Sequence, residues 1–103
     1  MPPAFTTIYS PGPNWDGDKI LEEQTGFKEQ VLWWKGHDRQ GRLKMLGVIL
    51  ERPDERPKAT VVVWYCDNLA EAVAYAAASP LVVAGRLTAA TTPGEPSPCG
   101  RPN

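Results

Sequence analysis

The sequence contains few of the side chains that bind metals or form disulfides. Among its 103 residues there are two cysteines and one histidine. Cys66 and Cys99 have neither another cysteine nor a histidine at the spacing of a metal site, so we predict two free thiols and no metal site. Cys66 ends an apolar run, which predicts a buried and unreactive side chain. The chain also lacks a nucleotide-binding motif, and we therefore expect no cofactor.

The sequence also has no large excess of charge of one sign and no long hydrophobic run. Twelve acidic and eleven basic side chains give a net charge of -1, with no basic block along the chain, which argues against a nucleic acid partner. No apolar run reaches the roughly 18 residues needed to cross a bilayer, and residues 1–9 lack the basic start and apolar stretch of a signal peptide. These absences predict a cytoplasmic protein that binds neither nucleic acid nor membrane.

Proline is concentrated at the two ends of the chain. Of the eleven prolines, four lie within residues 2–13 and four within residues 93–102. Residues 92–103 contain no large apolar side chain, so nothing offsets the entropy cost of ordering them, about 1–2 kcal/mol per residue. A chain of this length supports one core rather than two. We predict a single domain over residues 1–91 and a disordered, proline-rich tail over residues 92–103.

Local patterns in the middle of the chain predict four strands. Runs of β-branched and aromatic residues, bounded by proline and glycine, favour strand structure. The third run, ATVVVWYC, follows a turn at residues 53–57 and is expected to form a hairpin with the run before it. The predicted strands are Ala4–Tyr9, Leu43–Leu50, Ala59–Cys66 and Arg86–Thr91.

Two helices and one helical turn are predicted between these strands. The first helix begins after Asp18, a good N-cap residue, and ends at Gly41. Its predicted inner face comprises Ile20, Gln24, Phe27, Val31, Trp34 and Asp38. The second helix is expected to be capped by Asp67 and to end at Pro80, before a helical turn over Leu81–Gly85. Its predicted inner face comprises Leu69, Val73, Ala76 and Ala77.

The element order βαββαβ predicts an α+β, ferredoxin-like fold. In this arrangement an antiparallel sheet carries both helices on one face. The opposite face is then left bare, and a bare apolar face on a chain of this size promotes aggregation unless a partner covers it. The simplest partner is a second copy of the chain, so we predict a homodimer.

Three segments resemble recurring segments of the YCII-related family: residues 40–47 (QGRLKMLG), 67–72 (DNLAEA) and 79–87 (SPLVVAGRL). This resemblance implies a dimeric α/β-barrel fold with a small cleft beside the sheet. It also implies acid/base chemistry by a histidine on the first helix and an aspartate before a proline. In this sequence those two positions fall on Gln30 and on Ser79, which precedes Pro80. An amide and a hydroxyl at these places are expected to form hydrogen bonds to a ligand.

Three side chains are candidates for proton transfer. His37 is the only residue whose ordinary pKa, roughly 6.5, lies near neutral pH, and Asp16 and Asp18 occupy a loop that follows the first strand. Each also has a purely structural interpretation. His37 lies near a helix C-terminus, where it would bind free carbonyls, with Asp38 pairing with Arg42. Asp16 would be a turn residue and Asp18 a helix cap.

Aromatic side chains are the expected walls of a ligand pocket. Four tryptophans lie on three predicted elements, and Trp33 and Trp34 cannot both occupy one narrow helix stripe. We expect Tyr9, Trp15 and Trp34 to enclose a pocket that includes Asp16 or Asp18. The alternative is that the tryptophans only pack the core and the subunit interface.

Two classes of function follow from these residues. The first is a cofactor-free acid/base enzyme, an isomerase, cyclase or lyase that acts on a small aromatic or polyketide-like molecule. A cofactor-independent monooxygenase on the same barrel is a further enzymatic option. The second class is a non-catalytic small-molecule-binding or accessory protein, for which Tyr9, Gln30, Ser79 and the tryptophans suffice. A carboxylate or imidazole at the ligand would favour an enzyme.

Overall fold

The computed structural model describes residues 3–49 and 59–94. Its four strands are β1 (Ala4–Pro11), β2 (Leu43–Ile49), β3 (Ala59–Tyr65) and β4 (Leu87–Pro93), and its helices are α1 (Phe27–Arg39), α2 (Leu69–Ala77) and α3 (Pro80–Val83). The strands form one antiparallel sheet in the order β2-β3-β1-β4. This is the predicted α+β, ferredoxin-like fold. The predicted turn at residues 53–57 lies outside the described residues.

Both long helices cover the same face of the sheet, as the element order predicts. The Tyr9 hydroxyl of β1 donates to the Ala76 carbonyl of α2 at 3.3 Å. The Trp64 ring of β3 lies 5.1 Å from the His37 ring of α1, measured between centroids. Because side chains alternate along a strand, the neighbouring residue Ile8 lies on the opposite face. No helix in the described ranges is long and apolar enough to cross a membrane.

The first helix begins later than the sequence predicts. α1 begins at Phe27 and its N-cap is Gly26, which has a left-handed backbone with φ of 97°. The predicted cap, Asp18, is wrong because the side chain of Gln24 holds residues 16–24 in a loop. Its Nε2 donates to the carbonyl oxygens of Asp16 and Lys19 at 2.9 and 3.0 Å. These contacts leave only a short 3-10 turn, Leu21–Glu23, before the helix.

The second helix also differs at its start and on its inner face. Asn68, not the predicted Asp67, is the N-cap, and its side chain accepts a hydrogen bond from the Glu71 N–H at 2.8 Å. The predicted inner residues Leu69 and Val73 are 40% and 46% exposed. Of the predicted inner residues Ala76 is buried and Ala77 is exposed, and Ala72 is buried in addition, because small side chains let α2 approach the sheet closely. The predicted end before Pro80 is confirmed.

The last strand continues past its predicted end at Thr91. Thr92 pairs with Thr6 of β1, and the Gly94 N–H donates to the Ala4 carbonyl at 2.9 Å. The strand therefore extends beyond residue 91, where the sequence predicts the domain to end. The rest of the predicted tail, residues 95–103, lies outside the described residues, as does Cys99. Cys66 is a buried free thiol, as predicted.

Candidate functional site

Gln30 and Ser79 lie at one junction, where α1 meets the start of α3. The Gln30 Oε1 accepts a hydrogen bond from the Leu81 N–H at 3.0 Å. Ser79 is the N-cap of α3, and its Oγ accepts from the Val82 N–H at 3.3 Å. Both Gln30 and Ser79 have a relative exposure of 0%. The two side chains thus bind the start of α3, and neither presents accessible surface to solvent.

Tyr9 completes this buried group from the sheet. Its hydroxyl lies at hydrogen-bond distance from the Ala76 carbonyl and interacts with the Ser79 side chain. Burial raises the pKa of Tyr9 above its ordinary value, and the Ser79 hydrogen bond opposes only part of that rise. Tyr9 therefore remains a protonated hydrogen-bond donor. The Trp34 ring packs edge-on against the Tyr9 ring, with 6.4 Å between centroids.

Two buried donors on α1 have no acceptor among the described residues: the Gln30 Nε2 and the Trp34 Nε1. The Gln30 amide must direct its oxygen to the Leu81 N–H, so its nitrogen is directed elsewhere. Residues four apart on a helix are neighbours on one face. A buried donor without a partner costs about 1–3 kcal/mol. An oxygen acceptor that bonded to either donor would remove this cost and stabilise the protein.

An open cleft of about 250 Å³ lies between α1 and β2, next to Trp34. Trp34 forms part of its wall, and Lys35 and Asp38 contribute the polar side chains on the helix side. Leu43 and Leu46 lie on the strand side. The cleft therefore combines an apolar surface suited to a flat ring with the ammonium groups of Lys35 and Lys44 and the carboxylate of Asp38. Its full lining is Trp34, Lys35, Asp38 and the β2 residues 43–46.

His37 lies on the opposite flank of α1 within a group of aromatic rings. Its ring centroid is 4.6 Å from that of Trp33 and 5.1 Å from those of Trp64 and Tyr75. The Arg42 Nη1 is 3.1 Å from the His37 Nδ1. A guanidinium cannot accept a hydrogen bond, so Nδ1 is the acceptor and the proton of the neutral ring lies on Nε2. The structure thus assigns one tautomer to His37.

Burial and the nearby Arg42 cation lower the pKa of His37 below its ordinary value of 6.5. The imidazole is therefore neutral at pH 7, and its Nε2–H is a hydrogen-bond donor. The sequence interpretation that pairs Asp38 with Arg42 is wrong. The Arg42 guanidinium contacts the His37 ring and lies 4.8 Å above the Tyr75 ring, while Asp38 faces the α1–β2 cleft. His37 binds this arginine rather than free helix carbonyls.

Asp16 and Asp18 lie in an exposed turn before α1. The Asp16 Oδ1 accepts from the Asp18 N–H at 3.1 Å, and its Oδ2 is 3.9 Å from the Lys19 Nζ. Neither aspartate lines the α1–β2 cleft. Trp15 is half-buried and packs against the core, while Tyr9 is fully buried. The structure therefore does not bring these aspartates into a pocket enclosed by Tyr9, Trp15 and Trp34.

Sequence reasoning missed the cleft contribution of Asp38 and the aromatic contacts of Arg42. Helical spacing could have indicated the first, since Asp38 follows Trp34 by four residues. The second depends on the chain reversal at Gly41, whose backbone φ is 73°. Within the described ranges, no three His, Cys, Asp or Glu side chains are grouped closely enough to hold a metal ion.

Comparisons with known proteins extend the description of the fold. No family model matches the sequence, and no curated protein matches it. The structure is similar to that of 5-chloro-2-hydroxyhydroquinone dehydrochlorinase from Burkholderia phenoliruptrix AC1100, solved in complex with 2,5-dihydroxybenzoquinone. The TM-score is 0.66 at 10% sequence identity, over 94% of this chain and 99% of that one. At this identity the likeness shows the fold alone, the α+β, ferredoxin-like fold described above.

Proposed function

We propose that this protein binds a small hydroxylated aromatic molecule in the α1–β2 cleft and acts on it by acid/base chemistry that needs no cofactor. Two buried donors without an acceptor in the described part of the chain, the Gln30 Nε2 and the Trp34 Nε1, support this proposal, because they lie one helical turn apart and Trp34 lines the cleft. A phenol or carbonyl oxygen has two lone pairs and can accept from both groups. The aromatic ring of the ligand then packs against Leu43 and Leu46.

Access to the two donors requires a movement of Trp34. Both N–H groups have almost no exposed surface, whereas other parts of Trp34 line the open cleft. Rotation of the indole turns its N–H toward a ring lying in the cleft. Binding then replaces two unpartnered donors by hydrogen bonds in a site of low dielectric, which favours an oxygen that carries negative charge. A phenolate or enolate oxygen is the preferred acceptor.

Asp38 is the proposed proton acceptor, and Lys35 the cation that stabilises the resulting anion. Both belong to the cleft lining, whereas Asp16, Asp18 and His37 lie outside it. The reaction class is an isomerisation, cyclisation or elimination. A similar fold that holds 2,5-dihydroxybenzoquinone in a dehydrochlorinase supports an aromatic oxygenated substrate. The same features would also steady a phenolate for a cofactor-independent monooxygenase.

Non-catalytic binding is a second candidate function, and one observation favours it. The resemblance to the YCII-related family implies proton-transfer groups at two positions that here carry Gln30 and Ser79. Neither an amide nor a serine hydroxyl changes its protonation state near neutral pH. Both side chains form hydrogen bonds within the protein. Binding without turnover would leave the donors of Gln30 and Trp34 as the functional groups.

We propose that the protein forms a homodimer through the helix-free face of the sheet. Ile8 and Met45 lie on that face and are 41% and 42% exposed. Ile8 pairs with Val61, and Met45 pairs with Val63, so the apolar side chains lie side by side across three strands. Val63 is only 1% exposed, but the exposed side chains of Ile8 and Met45 are covered most simply by a second copy through two-fold symmetry.

Calorimetric titration with hydroquinone and related dihydroxybenzenes tests the proposal. We expect Trp34→Phe to weaken binding by about tenfold, since it removes one donor to a charged oxygen but keeps an aromatic ring. Trp15→Phe is the matched control and should retain the wild-type affinity. Absence of binding to the wild type, or equal weakening in both variants, would contradict the proposed site.

Ultraviolet spectra of the bound compounds then separate the two candidate functions. Consumption of one of them by the wild type, lowered about 10²–10⁴-fold in Asp38→Asn with little change in affinity, supports acid/base catalysis. Binding of all the compounds without consumption supports a binding protein instead.

A further inference from the structure

A second cavity, of about 230 Å³, lies on the flank of α1 that faces away from the α1–β2 cleft. We propose that it binds a small carboxylate that carries an aromatic or aliphatic group, with Arg42 as the anion-binding residue. The cavity does not share a lining residue with the α1–β2 cleft. Its lining is Leu32, Trp33, Gly36, His37, Gln40 and Arg42.

Arg42 is held in place by its backbone and by its side chain. Its N–H donates to the His37 carbonyl at 3.1 Å, and its carbonyl accepts from the Tyr65 N–H at 2.7 Å. Its Nη1 donates to the His37 Nδ1, and its guanidinium lies over the Tyr75 ring. The guanidinium is therefore positioned before any ligand arrives, which lowers the entropy lost on binding.

Among the described residues, Arg42 has no partner of opposite charge within 4.0 Å. A guanidinium has five N–H groups, and one of them is used by His37. In the described part of the chain, the one ion pair within 4.0 Å joins Lys19 and Asp16. At the start of α2 the Glu71 side chain accepts from the Asp67 N–H, and Asp38 of α1 lines the α1–β2 cleft. A half-buried arginine without a carboxylate partner is a site for an external one.

The rest of the lining defines the chemistry of the ligand. Trp33 and the exposed side chain of Leu32 provide an apolar wall, and Gln40 adds an amide at the rim. The volume is below the roughly 300–1,000 Å³ of pockets that hold drug-sized ligands, which restricts the ligand to a small acid. A carboxylate on a single ring matches both the cation and the apolar wall of the cavity. The guanidinium of Arg42 binds the two carboxylate oxygens, and Trp33 contacts the ring.

Benzoate is the probe, and benzamide is its neutral counterpart of similar shape. We expect calorimetry to detect benzoate binding to the wild type and no comparable binding of benzamide. Arg42→Gln should weaken benzoate binding about 10–100-fold, the loss expected for hydrogen bonds to a charged group. Arg39→Gln makes the same charge change on α1 outside the cavity and should leave the affinity within about twofold. Hydroquinone binding in the α1–β2 cleft should be the same in Arg42→Gln as in the wild type.

A nuclear Overhauser effect from the benzoate ring protons to the Trp33 indole provides a second measurement that does not depend on a variant. The inference is overturned if the wild type does not bind benzoate, if benzamide binds equally well, or if Arg39→Gln weakens binding as much as Arg42→Gln. It is also overturned if benzoate contacts Trp15 or Trp34 instead of Trp33. Circular dichroism of each variant establishes that it is folded, and Arg42→Lys replaces Arg42→Gln if it is not.

Discussion

The side chain of Gln30 joins α1 to the start of α3 through a hydrogen bond of 3.0 Å from the Leu81 N–H. Both partners are fully buried. The bond satisfies a backbone donor in the first turn of α3, a place where helix geometry provides no carbonyl partner. It also fixes the direction of the amide nitrogen, which has no acceptor in the described part of the chain. One residue therefore stabilises the fold and leaves a donor for a ligand.

Replacing Gln30 by methionine, which has a similar length, should destabilise the protein by about 1–3 kcal/mol. The Leu81 N–H would then be buried without an acceptor, and that desolvation is not recovered elsewhere. Urea denaturation measures the change, with Gln40→Met as a control on the exposed end of α1, where we expect a change within about 0.5 kcal/mol. Equal stability of wild type and Gln30→Met would show that the hydrogen bond has no structural role.

The stability of the protein should decrease as the pH falls below about 6.5, because of His37. Burial and Arg42 lower the pKa of His37 in the folded state, so the unfolded chain binds the proton first as the pH falls. The decrease ends once the pH is below the folded-state pKa. Urea midpoints at pH values of about 5.5 to 7.5 measure it. His37→Gln should remove most of this slope, and Asp38→Asn should retain it. The same slope in His37→Gln would assign the effect to other groups.

Sedimentation at micromolar concentration should give twice the chain mass of 11.3 kDa. Ile8→Glu places a charge on the helix-free face and should give a monomer, since a buried and unpaired carboxylate disfavours association. Val83, which is 76% exposed on α3, provides the control substitution Val83→Glu, which should remain dimeric. A monomeric wild type would contradict the proposed assembly.

Truncation should locate the end of the domain at Gly94 rather than at Thr91. Removal of residues 95–103 should leave the Tm nearly unchanged. Removal of residues 92–103 also deletes the Thr92 pairing, the Gly94 N–H bond to Ala4 and the bond from the Thr6 Oγ1 to the Gly94 carbonyl. A loss of about 1 kcal/mol lowers the Tm of a domain of this size by roughly 4–8 °C. Equal Tm values for the two truncations in a calorimetric scan would contradict this boundary.

Strands and their order could be predicted from the sequence because β-branched runs and turn residues act locally. The start of α1 could not, because it depends on the Gln24 side chain, which bonds carbonyls five and eight residues earlier. A helix that begins after Asp18 agrees with the local capping and periodicity rules, but the chain forms the loop held by Gln24 instead. The cap of α2 was misplaced by one residue because Asp67 and Asn68 are equally good caps by type.

The site was less predictable than the fold. The positions of Gln30 and Ser79 came from the family resemblance, and the fold brings them to one junction through Leu81. Asp16 and Asp18 follow a strand, as reactive loop residues often do, but their loop folds onto Gln24 rather than over a cleft. Arg42, just before β2, contacts the ring of Tyr75 in α2, although the two residues lie far apart in sequence. No local spacing indicates such a contact.

In the proposed complex, one ligand oxygen accepts hydrogen bonds from both Gln30 and Trp34. Proton–nitrogen correlation spectra during a hydroquinone titration test it most directly, with the resonances assigned by their absence in Gln30→Met and Trp34→Phe. We expect the Trp34 Nε1–H and one Gln30 Nε2–H to move downfield together with a single dissociation constant, while the Trp15 indole resonance remains in place. Saturable shifts of other resonances that leave both of these unchanged, or that are accompanied by a shift of only one of them, would contradict the proposed binding mode.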